Sequence, residues 1–191
     1  MTPQDSSLKG EAAMTRRNGI WAAAFAATVA LAGVAEAQQQ QPVLSPRDTT
    51  KATIAGATII VDYGRPSKRG RQVVGNLIPY DKVRRTGANK ATHLLTDKGL
   101  MFGNVMVPAG TYTLYTFASE TGNWKLAINK QTGQWGTEYK PEEDLARIDL
   151  KVATLPQSVE QFVIKIEPTR GGGILQLQGD TGSASAAFMV H

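Results

Sequence analysis

Three segments in the second half of the chain alternate between apolar and mainly polar residues. In the segment 146–152, apolar side chains occupy every second position from Ala146 to Val152, and charged side chains fill the positions between them. The segments 124–129 and 162–167 follow largely the same alternation. Because successive side chains of a β-strand point to opposite faces, this pattern predicts strands with one buried face and one solvated face.

Less regular apolar runs bring the number of predicted strands to eight. These runs lie at 58–63, 91–96, 111–117, 174–177 and 184–190, with short additional strands predicted around 100–107. The runs are separated by glycine-containing turns, and glycine tolerates the positive φ that hairpin turns require. This arrangement, with little helical periodicity, predicts an all-β fold: a single antiparallel β-sandwich-like domain over residues 49–191.

The amino-terminal residues follow a different pattern. Arg16 and Arg17 precede an uncharged apolar run at 20–35, and the run is followed by the small residues of Ala35-Glu36-Ala37. This order is typical of a secretory signal peptide and predicts that residues 1–37 are removed by cleavage after Ala37. A membrane anchor is the alternative, but the run is shorter than the roughly 20 residues that a bilayer core requires.

Two further predictions concern the start of the chain. Met14 lies just before the arginines, and a start there would give the signal peptide ordinary proportions. Residues 38–48 are rich in glutamine and proline and have no periodicity, which predicts a flexible linker. The predicted mature protein is therefore periplasmic or secreted, with no stable membrane span after cleavage.

Charge adds a feature that the hydrophobic pattern does not show. The chain has a net charge of +5 and no cysteine, so its stability cannot rest on disulfides. Most of the excess charge lies in the segment 65–90, where few strand signals occur and Asp81 is the sole acid. The basic residues of this segment are Arg65, Lys68, Arg69, Arg71, Lys82, Arg84, Arg85 and Lys90. Apolar residues within the same segment predict that it is a structured basic loop.

The sequence lacks the residues of several reaction classes. His93 and His191 are its only histidines, so the usual sets of two or three histidines for a metal cannot be built within one chain. Neither a G-x-S-x-G elbow nor a phosphate-binding glycine loop is present. No cofactor and no metal are therefore predicted.

The basic loop carries most of the candidate ligand-binding residues. Arg65, Arg71 and Arg85 are candidates for clamping a carboxylate or phosphate, and Asn89 for orienting a ligand hydroxyl or capping a turn. A solvated basic rim without a ligand is the alternative interpretation. Trp135 is predicted either to form an aromatic platform for a sugar or to plug the end of the sandwich core.

Three blocks of sequence also carry a resemblance to a known family. They are RPSKRGR at 65–71 with PYDKVRRTGANKAT at 79–92, VPAGTYTLYT at 107–116, and INKQTGQWG at 128–136. In this order they resemble the bacterial family catalogued as domain of unknown function 2911, over roughly residues 51–166. The resemblance implies a secreted, sandwich-like β protein and brings no established activity with it.

This chain departs from the family pattern at three places. Arg84 stands where tryptophan is usual, Lys90 where glutamate is usual, and Leu177-Gln178-Gly179 where Glu-Trp-Gly is common. These changes remove aromatic and acidic groups, so they weaken any role as a sugar platform or an acid catalyst for this member.

Three functional hypotheses follow from these observations. The first is a non-enzymatic binding module of the cell envelope, whose basic loop binds an anionic small molecule or an envelope polysaccharide. The second is a glycan-acting hydrolase whose carboxylates are brought together by the fold. The third is a structural or partner-binding envelope protein of unknown oligomeric state. Nucleic acid is not predicted as a partner, because stacking side chains are few and export separates the protein from it.

Overall fold

The computed structural model of this chain describes residues 43–191. The predicted signal peptide 1–37 and residues 38–42 of the predicted linker lie outside the described residues. Within the described range the chain forms antiparallel strands and one short 3-10 helix at Pro141–Glu143. The prediction of an all-β antiparallel domain is confirmed.

Ten strands make up the domain. They are β1 (Arg47–Ile54), β2 (Ala57–Gly64), β3 (Val83–Arg85), β4 (Thr92–Thr96), β5 (Leu100–Phe102), β6 (Val105–Val107), β7 (Gly110–Phe117), β8 (Trp124–Asn129), β9 (Asp144–Thr169) and β10 (Gly172–Val190). Their order is β1-β2-β4-β7-β8-β9-β10-β5-β6, and β3 pairs with β7 beside this path. The two last strands are far longer than the others.

Strand β9 joins two parts of the sheet because it changes partners along its length. Its first residues, Asp144 to Leu150, pair with β8, and its later residues pair with β10. The sheet folds back on itself, so that Thr50 of β1 donates a hydrogen bond from Oγ1 to the carbonyl oxygen of Ile164 in β9 at 2.6 Å. The two parts therefore face each other, which is the sandwich-like arrangement predicted from the sequence.

One apolar core fills the space between these two parts. Its largest completely buried side chains come from both: Tyr63, Ile59, Leu94, Leu100, Leu114, Leu126, Ile128, Ile164 and Leu175. The alternation in the sequence explains the contribution of β8 and the start of β9 to this core. Leu126, Ile128 and Ile148 point inward, while Lys125 and Arg147 point to solvent.

The hairpin of β9 and β10 contains an irregularity that positions the site. Thr154 pairs with Gly182, but Val159 pairs with Asp180 and Val163 with Gln178, so the register shifts twice within a few residues. Bulges of this kind bend a strand and leave backbone groups unpaired. The basic loop uses two of those groups: the amide of Lys68 donates to the carbonyl oxygen of Glu160, and the amide of Phe162 donates to that of Pro66, each at 2.9 Å.

The strand boundaries differ from the predicted ones in two respects. The segments predicted at 146–152 and 162–167 belong to one strand, β9, and those predicted at 174–177 and 184–190 belong to β10. Bulges allow Pro156 and the turn-like residues 179–182 to lie within these strands. Strand β1 was not predicted, since Ile54 is the one large apolar residue among its inward positions, which otherwise hold Asp48, Thr50 and Ala52. It begins at Arg47, so the last two residues of the predicted linker 38–48 belong to the sheet.

Candidate functional site

A cleft of about 780 Å³ opens between the basic loop and the bulged hairpin. Residues 66–89 form one wall, and residues 152–184 of β9 and β10 form the other, with the ends of β7 and β8 below. Its volume lies within the range of small-molecule sites, which are concave and mainly apolar with a few polar groups. The basic segment singled out from the sequence thus forms one side of this cleft.

Apolar side chains that keep part of their surface exposed line the cleft. The loop contributes Val74, Leu77 and Ile78, and the strands below contribute Trp124 and Phe162. Val152 of β9 is 40% exposed and also faces the cleft. Trp124 is fixed by a hydrogen bond from Nε1 to the carbonyl oxygen of Ser119 at 2.9 Å. The cleft therefore offers an open apolar surface continuous with the domain core.

Of the three predicted arginines, Arg65 serves to hold the loop. Its Nε donates to the carbonyl oxygen of Phe162 at 3.1 Å, and its Nη1 lies 3.0 Å from the carboxylate of Asp48. Arg65 is not among the residues that line the cleft. Its guanidinium is thereby occupied in joining β1, β2 and β9.

Arg71 lines the cleft but is also used inside the loop. Its Nε donates to the carbonyl oxygen of Lys68 at 2.9 Å and its Nη2 to that of Ser67 at 3.0 Å. The neighbouring Arg84, which sequence reasoning did not select, donates similarly to the carbonyl oxygen of Leu77 at 2.7 Å. Both guanidinium groups stabilise turns of the loop.

Arg85 differs from these arginines. It lines the cleft, is half-buried in β3, and makes no side-chain hydrogen bond or salt bridge with any residue in the described part of the chain. The backbone of Gly136 packs against its aliphatic stem, because a Cβ atom at that position would lie 2.9 Å from Cδ of Arg85. Arg85 is therefore a positioned cation with free hydrogen-bond donors at the cleft.

Asn89 and Trp135 lie close to Arg85 in the fold. Asn89 has a φ of 63°, and its carbonyl oxygen accepts a hydrogen bond from the amide of Gly136 at 2.9 Å. It lines the cleft, and its side chain donates to the carbonyl oxygen of Ser45 at 3.5 Å. Trp135 is 46% exposed and is not part of the cleft lining. Its side chain is not part of the apolar core.

Close backbone contacts explain why glycines recur in the three sequence blocks. A Cβ atom at Gly64 would lie 2.2 Å from the carbonyl oxygen of Ala88, and one at Gly136 would lie 2.8 Å from that of Asn89. The segments around Arg65, Arg85 and Trp135 therefore pack backbone against backbone. Residues far apart in sequence meet at one edge of the cleft for this reason.

Two acids face the cleft and both are used to hold the loop. The carboxylate of Asp180 lies 2.8 Å from Nζ of Lys68 and accepts a further hydrogen bond from Ser158 at 3.0 Å. These two hydrogen bonds, that of Lys68 first, lower the pKa of Asp180. Glu160 accepts a hydrogen bond from the amide of Arg69 at 2.9 Å. Sequence reasoning missed this link, because nothing in the sequence relates Lys68 to an acid 112 residues away.

A second polar cluster is centred on Asp144, and of its members only Tyr139 lines the cleft. The carboxylate of Asp144 accepts hydrogen bonds from Tyr139 at 2.5 Å, from Arg147 at 2.9 Å and from Asn129 at 2.9 Å. Burial, followed by the hydrogen bond to Asp144, raises the pKa of Tyr139 to about 12. Arg147 also lies 4.5 Å above the ring of Phe117. This cluster fixes the segment 139–147 against the sheet.

Residues 43–191 contain no group of three or more histidine, cysteine, aspartate or glutamate residues that is arranged to hold a metal ion. Nor does any helix in this range have the length and apolarity to cross a membrane. Burial and the charge of Arg47 lower the pKa of His93, whose Nε2 accepts a hydrogen bond from the amide of Gly133 at 3.3 Å. His93 therefore links strand β4 to the loop that contains Gly133.

Comparison with known proteins gives one match. The model of a family described as "Protein of unknown function (DUF2911)" matches residues 45–188. No curated protein and no solved structure matches the chain. The family match spans the whole of the cleft and its covering loop.

Proposed function

Because the chain belongs to the DUF2911 family, whose description assigns no activity, we propose a function from the geometry of the cleft. The domain is a non-enzymatic binding module for a small anionic ligand, which lies between the basic loop and the β9–β10 hairpin. The apolar run and small-residue site at the amino terminus support the further proposal that it acts in the cell envelope after export.

The observation that carries this proposal is the free guanidinium of Arg85. Partial removal of a charged group from water raises its free energy, and hydrogen bonds to a bound anion offset this increase. The planar guanidinium presents paired donors that match a carboxylate or phosphate. Asn89 adds a polar side chain to the same edge of the cleft.

Neither acid of the cleft supports the hydrolase hypothesis. A general acid requires a raised pKa, but the pKa of Asp180 is lowered by its bonds to Lys68 and Ser158. Glu160 accepts a hydrogen bond from the loop backbone. Both carboxylates thus hold the loop in place, which favours binding over catalysis.

Thermal unfolding with a panel of anions tests the proposal. Acetate, phosphate, citrate and an anionic polysaccharide are each added to the chain, and a binding anion raises Tm by several degrees at saturating concentration. We expect this shift in the unchanged chain and its loss in Arg85→Gln. The matched control is Arg69→Gln, an exposed arginine of the same loop that is not among the residues that line the cleft.

The results for the two variants distinguish the binding-module hypothesis from the partner-binding hypothesis. A shift that is retained in Arg69→Gln and lost in Arg85→Gln supports the binding module. A panel without any shift, or a shift that is equal in both variants, contradicts it and favours the partner-binding hypothesis. The unliganded Tm of each variant checks that the substitution itself leaves the fold intact.

A further inference from the structure

We infer that the ligand of this cleft is an amphipathic carboxylate, with a linear hydrocarbon chain that lies in the cleft between the basic loop and the β9–β10 hairpin. This inference rests on the proposed anion-binding function and specifies the chemical class of the ligand. It is carried by the contrast between Arg85, whose guanidinium has no side-chain partner within residues 43–191, and the apolar surface that lines the rest of the cleft.

The apolar walls are the first part of the argument. Val152, Trp124 and Phe162 lie on the strands, and Val74 and Leu77 face them from the loop. Each of these side chains keeps part of its surface exposed, and Trp124 and Phe162 also pack against the core. Apolar surface held open in a concave site is stabilised when a ligand removes it from water.

Two hydroxyl groups of the cleft floor, those of Thr86 and Thr116, are already satisfied. The hydroxyl groups of Thr86 and Thr116 are hydrogen-bonded to each other at 2.6 Å, and Thr92 donates to the carbonyl oxygen of Thr86. A sugar that entered this part of the cleft would place its hydroxyl groups against apolar walls and occupied threonines. Burying polar groups without partners is costly, so the floor selects an apolar chain.

The bulged hairpin provides the room for such a chain. Between Thr154 and Val163 strand β9 takes more residues than β10 opposite it, and the strand bends away from its regular course. The loop from Pro66 to Ile78 covers the opening and is fastened at Lys68 by Asp180. A linear chain therefore lies along the cleft under the loop, with its carboxylate at Arg85.

Isothermal titration of the full chain with carboxylates of increasing length tests this inference. Acetate, hexanoate and decanoate are compared below the concentration at which decanoate forms micelles. Each methylene buried in an apolar site tightens Kd by up to about fourfold. We expect decanoate to bind at least tenfold more tightly than hexanoate, and 1-decanol to bind less tightly than decanoate.

Two variants test the walls of the cleft. Val152→Ser makes one wall polar at a position that is 40% exposed, so the fold is expected to tolerate it. We expect the advantage of decanoate over hexanoate to fall about threefold or more in this variant. Leu145→Ser is the matched control, because Leu145 is 37% exposed and does not line the cleft.

The results distinguish failure of this inference from failure of the proposed function. If acetate or phosphate binds through Arg85 but decanoate binds no more tightly than acetate, the amphipathic class is wrong and the anion-binding module stands. An equal effect of Val152→Ser and Leu145→Ser on chain-length dependence also overturns the inference. If no anion of any length binds, the proposed function itself fails.

Discussion

The amide nitrogen of Gly136 donates a hydrogen bond to the carbonyl oxygen of Asn89 at 2.9 Å, across 47 residues of sequence. The same backbone contact leaves no room for a side chain at 136, where a Cβ atom would meet Asn89 at 2.8 Å and Arg85 at 2.9 Å. This glycine therefore determines where the one free guanidinium of the described cleft is held.

Gly136→Ala is expected to destabilise the domain by about 1–3 kcal/mol, because rigid backbone faces the added methyl group. It is also expected to weaken anion binding, because Arg85 must move. Chemical denaturation and the anion titration measure the two effects. Gly182→Ala is the control, since a Cβ atom there would have its nearest neighbours at 3.7 Å. An equal loss of stability in both variants would contradict this account.

Asp180→Asn is expected to loosen the loop that covers the cleft, because it weakens the bond to Lys68. Amide hydrogen exchange at residues 67–78 measures this, and we expect faster exchange than in the unchanged chain. The control is Asp149→Asn, which weakens an exposed salt bridge with Lys125. We expect this control to leave the exchange rates of the loop unchanged. Unchanged exchange in Asp180→Asn would show that the loop is held by other contacts.

The same substitution has a predictable dependence on pH. The pKa of Asp180 is lowered from its ordinary value of 3.8, so its stabilising contribution is complete above that value and is lost as pH falls below it. The difference in Tm between Asp180→Asn and the unchanged chain should therefore be constant from pH 7 to pH 5 and should shrink toward pH 3. A difference that grows on acidification would contradict the assignment.

Tyr139→Phe is expected to destabilise the domain by about 1 kcal/mol, because the hydroxyl that donates to Asp144 is removed. The raised pKa of Tyr139, about 12, means that this contribution is present below pH 10 and is lost as pH rises toward 12. Absorbance titration of the phenolates should show that the latest ionisation disappears in the variant. Tyr80→Phe is the control, since its hydroxyl has no partner in the described chain; an equal effect would refute the role of Asp144.

His93 is expected to make stability fall in mildly acidic solution. Burial lowers its pKa below 6.5, so the unfolded chain takes up a proton before the folded one, and stability declines as pH falls below 6.5. Measured Tm values between pH 8 and pH 5 should show this decline in the unchanged chain and a flatter profile in His93→Gln. Glutamine can still accept the hydrogen bond from Gly133, so an identical decline in the variant would exclude His93 as its source.

The sequence predicted the fold well where side-chain alternation reflects burial, as at Leu126, Ile128 and Ile148. It failed where pairing depends on the partner strand, because Pro156 and Gly179 resemble strand breaks until the bulge that accommodates them is seen. The family of the chain was also recognisable from its motifs, and the family match confirms it.

The site was predictable only in part. The basic loop, which lines the cleft, could be singled out because charge and irregularity are local properties of sequence. The sequence could not show which arginine lacks a partner, because Arg65 is bound by the carbonyl oxygen of Phe162, 97 residues away. The exposed position of Trp135 likewise follows from the loop that packs beside it rather than from its neighbours in sequence.

The long terminal hairpin also determines when this polypeptide can fold. Strand β10 pairs with β9 on one side and with β5, near residue 100, on the other, so a nascent chain that ends before Gly172 cannot complete the core. The earlier strands emerge during synthesis with their inner face uncovered and gain their final neighbours last. The core of the domain can therefore close only after β10 has been synthesised.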